Sequence, residues 1–273
     1  MINIKNSVLL LGVSLLVLTC ATNPFTGKKT MALVPNSDLF PTSFAEYNQF
    51  LSEHKVVSGT KDAQMITRVG ERIAIASKRW LTANGYHGYL KDYKWEYHLV
   101  NDKTQNAWCM PGGKIVFYTG ILPVAKTETG VAVIMGHEVA HALANHGQQR
   151  MSAGMLQQLG AVAGNVVLQN ESDRNLFNQY YGVGSQVGVM LPFSRSHETE
   201  ADKIGLYIMA IAGYNPMEAS KLWERMKANS GGGAPSEMLS THPSNDSRIA
   251  NLKALAPKAI EEAKKFGVTK FRE

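Results

Sequence analysis

His137, Glu138 and His141 stand in the order H-E-x-x-H within VIMGHEVAH, residues 133 to 141. On a helix, positions four apart share one face, so both imidazoles could grip a single ion. Glu138 would then lie beside that ion, where it could take a proton from water. Two imidazoles and an adjacent carboxylate are the ligands and the base of a zinc hydrolase. The competing reading is a helix whose two histidines are satisfied elsewhere. On so apolar a helix that reading requires other buried partners, because unpaired buried polar groups are costly.

Catalytic zinc takes three protein ligands and keeps one position for water. A third His six residues after His141 is excluded, since that position is Gly147. His146 comes one residue earlier and, on a continuing helix, faces well over a quarter turn away from His141. It is expected to be a helix-end histidine favoured by the dipole. Downstream, Glu198-Thr199-Glu200-Ala201-Asp202 offers three carboxylates at the start of a helix. Glu198 and Asp202 share a face; Glu198 is expected as the third ligand and Asp202 as the group that orients a ligand imidazole. Glu200 is expected to point elsewhere, as an ordinary first-turn acid.

These groups need elements to hold them. Val131, Val133, Ile134, Val139, Ala140, Ala142 and Leu143 predict an apolar helix, with a stop at Gly147. Ser43 to Lys55 reads as an earlier helix. Ser58-Gly59-Thr60 is a start signal for another, in which Ile66, Val69, Ile73, Ala76 and Trp80 recur at helical spacing. Trp95 to Val100, Asn106 to Met110 and Lys114 to Thr119 read as three strands, the second halted by Pro111-Gly112-Gly113. His98, on the first of them, is expected to be structural or exposed. An extended substrate could add to the free edge of this sheet at Asn106, Ala107 and Trp108 by main-chain hydrogen bonds, although a purely architectural hairpin fits the residues equally.

Residues 151 to 191 are rich in Gly, Gln, Ala and Met and could form a lid over the cleft or plain helical packing; Gln157, Gln158 and Asn165 interrupt them too often for a bilayer span. Ser194 to Ala212 predicts a helix ended by Gly213. Asn215-Pro216 opens the next, which runs to about Lys227. Asp246 to Phe266 predicts a last helix, broken at Pro257.

The chain has 273 residues, a formal charge of +6 and 44% hydrophobic residues, enough for a substantial core. Its Lys and Arg are scattered without a basic run, so a nucleic-acid partner is not indicated. At the N-terminus, Lys5 precedes an apolar run from Val8 to Leu18 and then Thr19-Cys20. The run is too short to span a membrane and suits a secretory signal. Leu16 to Cys20 resembles a bacterial lipobox, which makes Cys20 the expected lipidation site and leaves Cys109 without a disulfide partner. Thr22, the second residue after Cys20, is not the Asp that retains such proteins in an inner membrane, which favours the outer one. The expected organisation is a signal peptide over 1–19, a tether over 20–37 and one domain over 38–273. The expected location is a bacterial cell envelope, lipid-anchored and facing the periplasm.

H-E-x-x-H followed by S-R-x-x-E-x-x-A-D, Ser194 to Asp202, resembles the gluzincin family of HtpX and the CAAX prenyl proteases. Arg68-Val69-Gly70-Glu71-Arg72-Ile73, Asn106 to Gly113 and Ser240-Thr241-His242-Pro243 with Arg248 resemble its soluble periplasmic branch of BepA-like and LoiP-like proteins. The resemblance covers about residues 58 to 255. It implies an α+β, mainly helical zincin (minigluzincin-like) domain with a small three-stranded sheet beside the H-E-x-x-H helix. It implies a metalloendopeptidase that hydrolyses protein or peptide substrates, serves quality control of envelope proteins and meets other envelope proteins as partners. The alternative is an envelope chaperone or assembly factor with latent protease activity. By position it assigns His137, His141 and Glu198 as ligands of one zinc ion per chain, Glu138 as base and Asp202 as their support. It places His242 near the metal, as a cap in a latent state or a donor to the tetrahedral intermediate. Arg248 would orient that loop or a substrate carbonyl.

Overall fold

The computed structural model describes residues 20–161, 194–229, 237–243 and 246–273. Two small sheets and nine helices follow one another among them. Strands β1 (Cys20–Thr22) and β2 (Lys29–Met31) form an antiparallel hairpin. Helix α1 (Asn36–Glu53), strand β3 (Val56–Val57) and helix α2 (Lys61–Ala83) lead into the second sheet. Strands β4 (Glu96–Val100), β5 (Ala107–Met110) and β6 (Lys114–Tyr118) precede α3 (Leu122–Ala125) and α4 (Glu128–Leu143), the H-E-x-x-H helix. Then come α5 (His146–Ala161), α6 (Arg195–Ile211), α7 (Glu218–Asn229), α8 (Glu237–Thr241) and α9 (Asp246–Lys265). No helix among the described residues is long and apolar enough to cross a membrane.

The architecture is α+β and mainly helical, as expected, but the main sheet has four strands rather than three. Its order is β3-β4-β6-β5, with β4 and β6 parallel and the other pairs antiparallel. Val56 and Val57 pair with Val100 and Leu99, a two-residue strand too short to show alternation. The turn between β5 and β6 needs the glycines of Pro111-Gly112-Gly113, because Gly112 and Gly113 have φ of 81° and 88°. Leaving that turn, β6 is buried along its whole length. That fits a central strand covered on both faces.

Three other expectations need correction. The first helix starts at Asn36, not Ser43, and carries Pro41 inside it. Within the span expected as a tether, the β1–β2 hairpin folds onto the body: Phe25 stacks on Trp80 at 4.4 Å, and Leu33 N–H donates to Ser152 Oγ at 3.0 Å. The last helix runs through Pro257 without a break. Pro257 and Lys253 are both exposed, so the carbonyl that loses its intrahelical donor faces water. The span considered as a lid begins as α5; residues 162–191 lie outside the described residues.

Helix α4 is the centre of the molecule. All fifteen residues from Thr129 to Leu143 are buried. Its start is set by Thr127, whose hydroxyl accepts from Gly130 N–H at 3.1 Å. Glu128 in the first turn pairs with Arg68 Nη2 at 2.6 Å and accepts from Tyr214 Oη at 2.8 Å. Arg68 of the R-V-G-E-R-I segment thus ties α2 to the head of α4. Helix α6 starts on Ser194, whose Oγ accepts from His197 N–H at 3.2 Å, and ends at Gly213 with φ of 89°. The two helices cross where Gly136 meets Gly205.

Candidate metal centre

Helix α4 supplies His137, Glu138 and His141, and α6 supplies Glu198 and Asp202. All five are buried, with relative exposures of 3% to 6%. His137 Nε2 and His141 Nε2 lie 3.1 Å apart. His141 Nε2 is 3.3 Å from Glu198 Oε1, and His137 Nε2 is 3.5 Å from Glu198 Oε2. Four-residue spacing does the first part of this work. The second part comes from the glycine contact, which brings two turns of different helices to one point.

His137 Nδ1 is 3.0 Å from Asp202 Oδ1. With the Nδ1 proton committed to that carboxylate, Nε2 presents a lone pair toward His141 and Glu198. A ring nitrogen lone pair, a second imidazole and a carboxylate converging in a dry pocket call for a cation or a proton between them. Nitrogens bound to one tetrahedral zinc sit roughly 3.3 Å apart, given Zn–N bonds of about 2.0–2.1 Å. The donor set and its spacing therefore fit one zinc ion.

The same geometry shapes the metal-free electrostatics. Burial lowers the His137 pKa, but Asp202 and Glu198 outweigh it and lift it to about 9. Burial pushes His141 well below its usual value. For Glu198, burial acts upward, but the facing His242 and His137 hold the carboxyl far below the usual range. Glu138 is raised, chiefly by burial. Its carboxylate is thus a stronger proton acceptor than a solvated one.

His242 and Arg248, far away in sequence, arrive at the same place. His242 Nδ1 lies 2.9 Å from Glu198 Oε1 and 3.1 Å from His137 Nε2, and its Nε2 is 3.6 Å from Glu138 Oε1. Its nitrogen joins those of His137 and His141 and a Glu198 oxygen in one cluster within 4.8 Å. Arg248 pairs with Asp202 through Nε and Nη2, both at 2.8 Å, and lies 2.7 Å from Glu198 Oε2 through Nη1. Its Nη1 also donates to the His242 and Pro243 carbonyls at 3.3 and 3.2 Å. The guanidinium sits 3.6 Å over the Trp223 ring.

A narrow cleft opens beside the cluster, lined by Asn106, Ala107, Trp108, Glu138, His141 and His242 among others. Strand β5 is last in the sheet order, so among the described residues its outer edge has no strand partner. Cys109 lines the same cleft; burial pushes its thiol well up, which keeps it protonated and unsuited to nucleophilic attack. His98, beyond the cleft, has Nδ1 2.7 Å from Tyr47 Oη, a structural contact.

Two expectations about this region are overturned. His146 does not face away from His141: their Nδ1 atoms are 3.0 Å apart. Helix α4 does not continue to Gly147. Asn145 takes a left-handed φ of 56°, and a new helix starts at His146, which turns the ring back. Glu200 is not a free first-turn acid either. It accepts from Asn23 Nδ2 of the hairpin and lies 3.7 Å from His146 Nε2. The signal for the first was Asn145 itself, a residue that tolerates the left-handed region; nothing local marked the second.

Comparison with known proteins agrees with this geometry. Residues 62–256 match the model of peptidase family M48. The mitochondrial metalloendopeptidase OMA1 of Schizosaccharomyces pombe is 37% identical over 183 residues, covering 67% of this chain and 51% of that protein. Metalloendopeptidase OMA1, mitochondrial, of Homo sapiens is 28% identical over 261 residues, covering 88% and 46%. The beta-barrel assembly-enhancing protease of Escherichia coli is 27% identical over 190 residues, covering 64% and 38%. The chain thus spans about half the length, or less, of these relatives. The matched stretch contains both helices of the cluster, the His242 loop and Arg248, and on that match the chain belongs to peptidase family M48.

Proposed function

We propose that this chain is a zinc metalloendopeptidase whose site is built from α4, α6 and the His242 loop. The observation that carries the reading is the meeting of His137 Nε2, His141 Nε2 and Glu198, buried and 3.1 to 3.5 Å apart. His137, His141 and Glu198 would hold the ion. Zinc bound there supplies Lewis-acid chemistry, polarising a carbonyl and acidifying water. Glu138 takes the proton from the attacking water and returns it to the leaving amine; its raised pKa suits that exchange. Asp202 keeps His137 in the tautomer that ligates. The edge of β5 that is unpaired among the described residues, at Asn106, Ala107 and Trp108, would hold an extended peptide across the cleft.

His242 would serve the site in one of two ways. With Nδ1 in the cluster it would take the position that a catalytic zinc keeps for water, a closed, latent arrangement. With the loop drawn back it becomes a donor for the oxyanion of the tetrahedral intermediate. Arg248 anchors the loop in the closed form through two carbonyls.

The reading extends to location. Cys20, at the head of the hairpin, is the lipidation site that would hold the chain to a bacterial envelope membrane, facing the periplasm and most simply on the outer membrane. Misfolded envelope proteins are the substrate class this implies; the name of the Escherichia coli relative joins a protease to beta-barrel assembly. The mitochondrial names of other relatives favour a second location, a mitochondrial membrane. Mass spectrometry of the mature N-terminus separates the two: an acylated Cys20 fits only the first. For activity, the full chain in detergent should cleave unfolded casein, stop on chelation and recover with zinc. A chaperone or assembly role is favoured instead should Glu138→Gln rescue client proteins as well as the wild type.

A further inference from the structure

Asp202 supports His137 through Nδ1, and on the other side of the cluster His141 Nδ1 meets His146 and, behind it, Glu200. We propose that His146 and Glu200 position His141, so that each ligand imidazole is held by its own buried partner. The inference rests on His141 being a metal ligand. His141 must present Nε2 to the ion, so its Nδ1 carries the proton. That proton points at His146 Nδ1, 3.0 Å away. Accepting it fixes the tautomer of His146, which then carries its proton on Nε2. Nε2 is 3.7 Å from Glu200 Oε1, a carboxylate that completes the relay with charge rather than a direct hydrogen bond. With the ion on His141 Nε2, this assignment puts a proton between His141 and His146 and turns the His146 N–H toward the Glu200 carboxylate.

The surroundings hold this relay rigid. His146 is fully buried and stacks on His197, with centroids 4.3 Å apart and planes at 15°. Glu200 is clamped from outside by the N-terminal hairpin. Asn23 Nδ2 donates to Oε1, Thr26 Oγ1 lies 3.5 Å from the same oxygen, and Lys28 Nζ is 3.8 Å from Oε2. The hairpin that begins at Cys20 is thereby joined to a metal ligand through Glu200 and His146. Residues so placed act through His141 and touch no substrate, so they are positioning residues.

The test uses the full chain in detergent with His146→Phe, which keeps the ring and its stacking but removes the acceptor. Zinc affinity is measured by competition with a chelator, and the cobalt-substituted protein by its d–d absorption. Affinity should fall about 10–100-fold and the cobalt bands should shift. His146→Gln, whose amide oxygen can accept from His141, should recover part of the loss. Glu200→Gln should lower affinity in the same direction by less. Circular dichroism of the metal-free proteins controls for folding, and Glu200→Gln, at a partly exposed side chain, covers the case in which His146→Phe misfolds. Wild-type affinity and cobalt spectrum in both His146→Phe and Glu200→Gln overturn the proposal. Wild-type affinity in His141→Ala instead overturns the ligand assignment beneath it.

Discussion

Gly136 and Gly205 touch backbone to backbone where α4 crosses α6. A Cβ added at Gly205 would lie 2.8 Å from the Gly136 carbonyl carbon, and one added at Gly136 would lie 2.9 Å from the Gly205 carbonyl oxygen. Gly136 directly precedes His137, and Gly205 lies one turn beyond Asp202. The closeness of these two main chains is therefore what lets Glu198 reach the imidazoles. Gly205→Ala must push the helices apart, because neither contact atom belongs to a flexible side chain. It should lower stability by about 1–3 kcal/mol, the usual range for overpacking, and weaken zinc binding as well. Thermal unfolding with and without zinc reads both effects.

Glu138→Gln removes the proton acceptor while preserving size and leaving the three proposed ligands in place. Zinc content by elemental analysis should stay at one ion per chain. The rate of peptide cleavage should fall by about 10²–10⁴, the range general-base catalysis contributes. Cleavage at the wild-type rate would remove Glu138 from the chemistry.

Proton linkage at His137 predicts how metal binding responds to pH. In the metal-free protein its pKa is lifted to about 9, above an unfolded value of about 6.5. Its contribution to metal-free stability is full below about pH 6.5 and is lost as pH rises through about 9. Zinc must displace the same proton, so affinity should climb with pH up to about 9 by at most about tenfold per unit. His141 is held neutral and Glu198 ionised, so among the three proposed ligands His137 alone brings a proton that the ion must displace. Calorimetry in two buffers of different ionisation enthalpy should report about one proton released per ion bound.

Arg248→Met tests the buried ion pairs. Arg248 is 7% exposed and is paired with Asp202 and Glu198. Taking away the cation strands two carboxylates in a dry pocket, and loss of one partner from such a pair costs about 3–5 kcal/mol. The melting temperature should drop sharply. The drop should be smaller with zinc present, because the ion compensates part of the same negative charge. An unchanged melting temperature would mean that the carboxylates find other partners.

Much of the centre was legible in the chain because it is local. His137 and His141 share a helix face, as do Glu198 and Asp202, and a helical period of 3.6 residues turns spacing of four directly into adjacency. The apolar run around the motif likewise forces α4 into the interior. Proline and glycine signals located the β5–β6 turn and the end of α6.

The rest needed the folded chain. His146 escapes the periodicity because α4 ends at Leu143, four residues before the apparent stop at Gly147, and the left-handed Asn145 redirects the ring. Glu200 looked like a solvent-facing acid because its partners Asn23 and Lys28 come from a hairpin more than 170 positions earlier. Val56 and Val57 are too short a pair to announce a strand until β4 lies beside them. His242 and Arg248 carried their meaning only through the resemblance, since periodicity reaches a few turns and they enter from α8 and α9. Periodicity determined which side chains leave each helix together. Only the crossing of α4 and α6, which two facing glycines allow, decided that these groups would meet at one point.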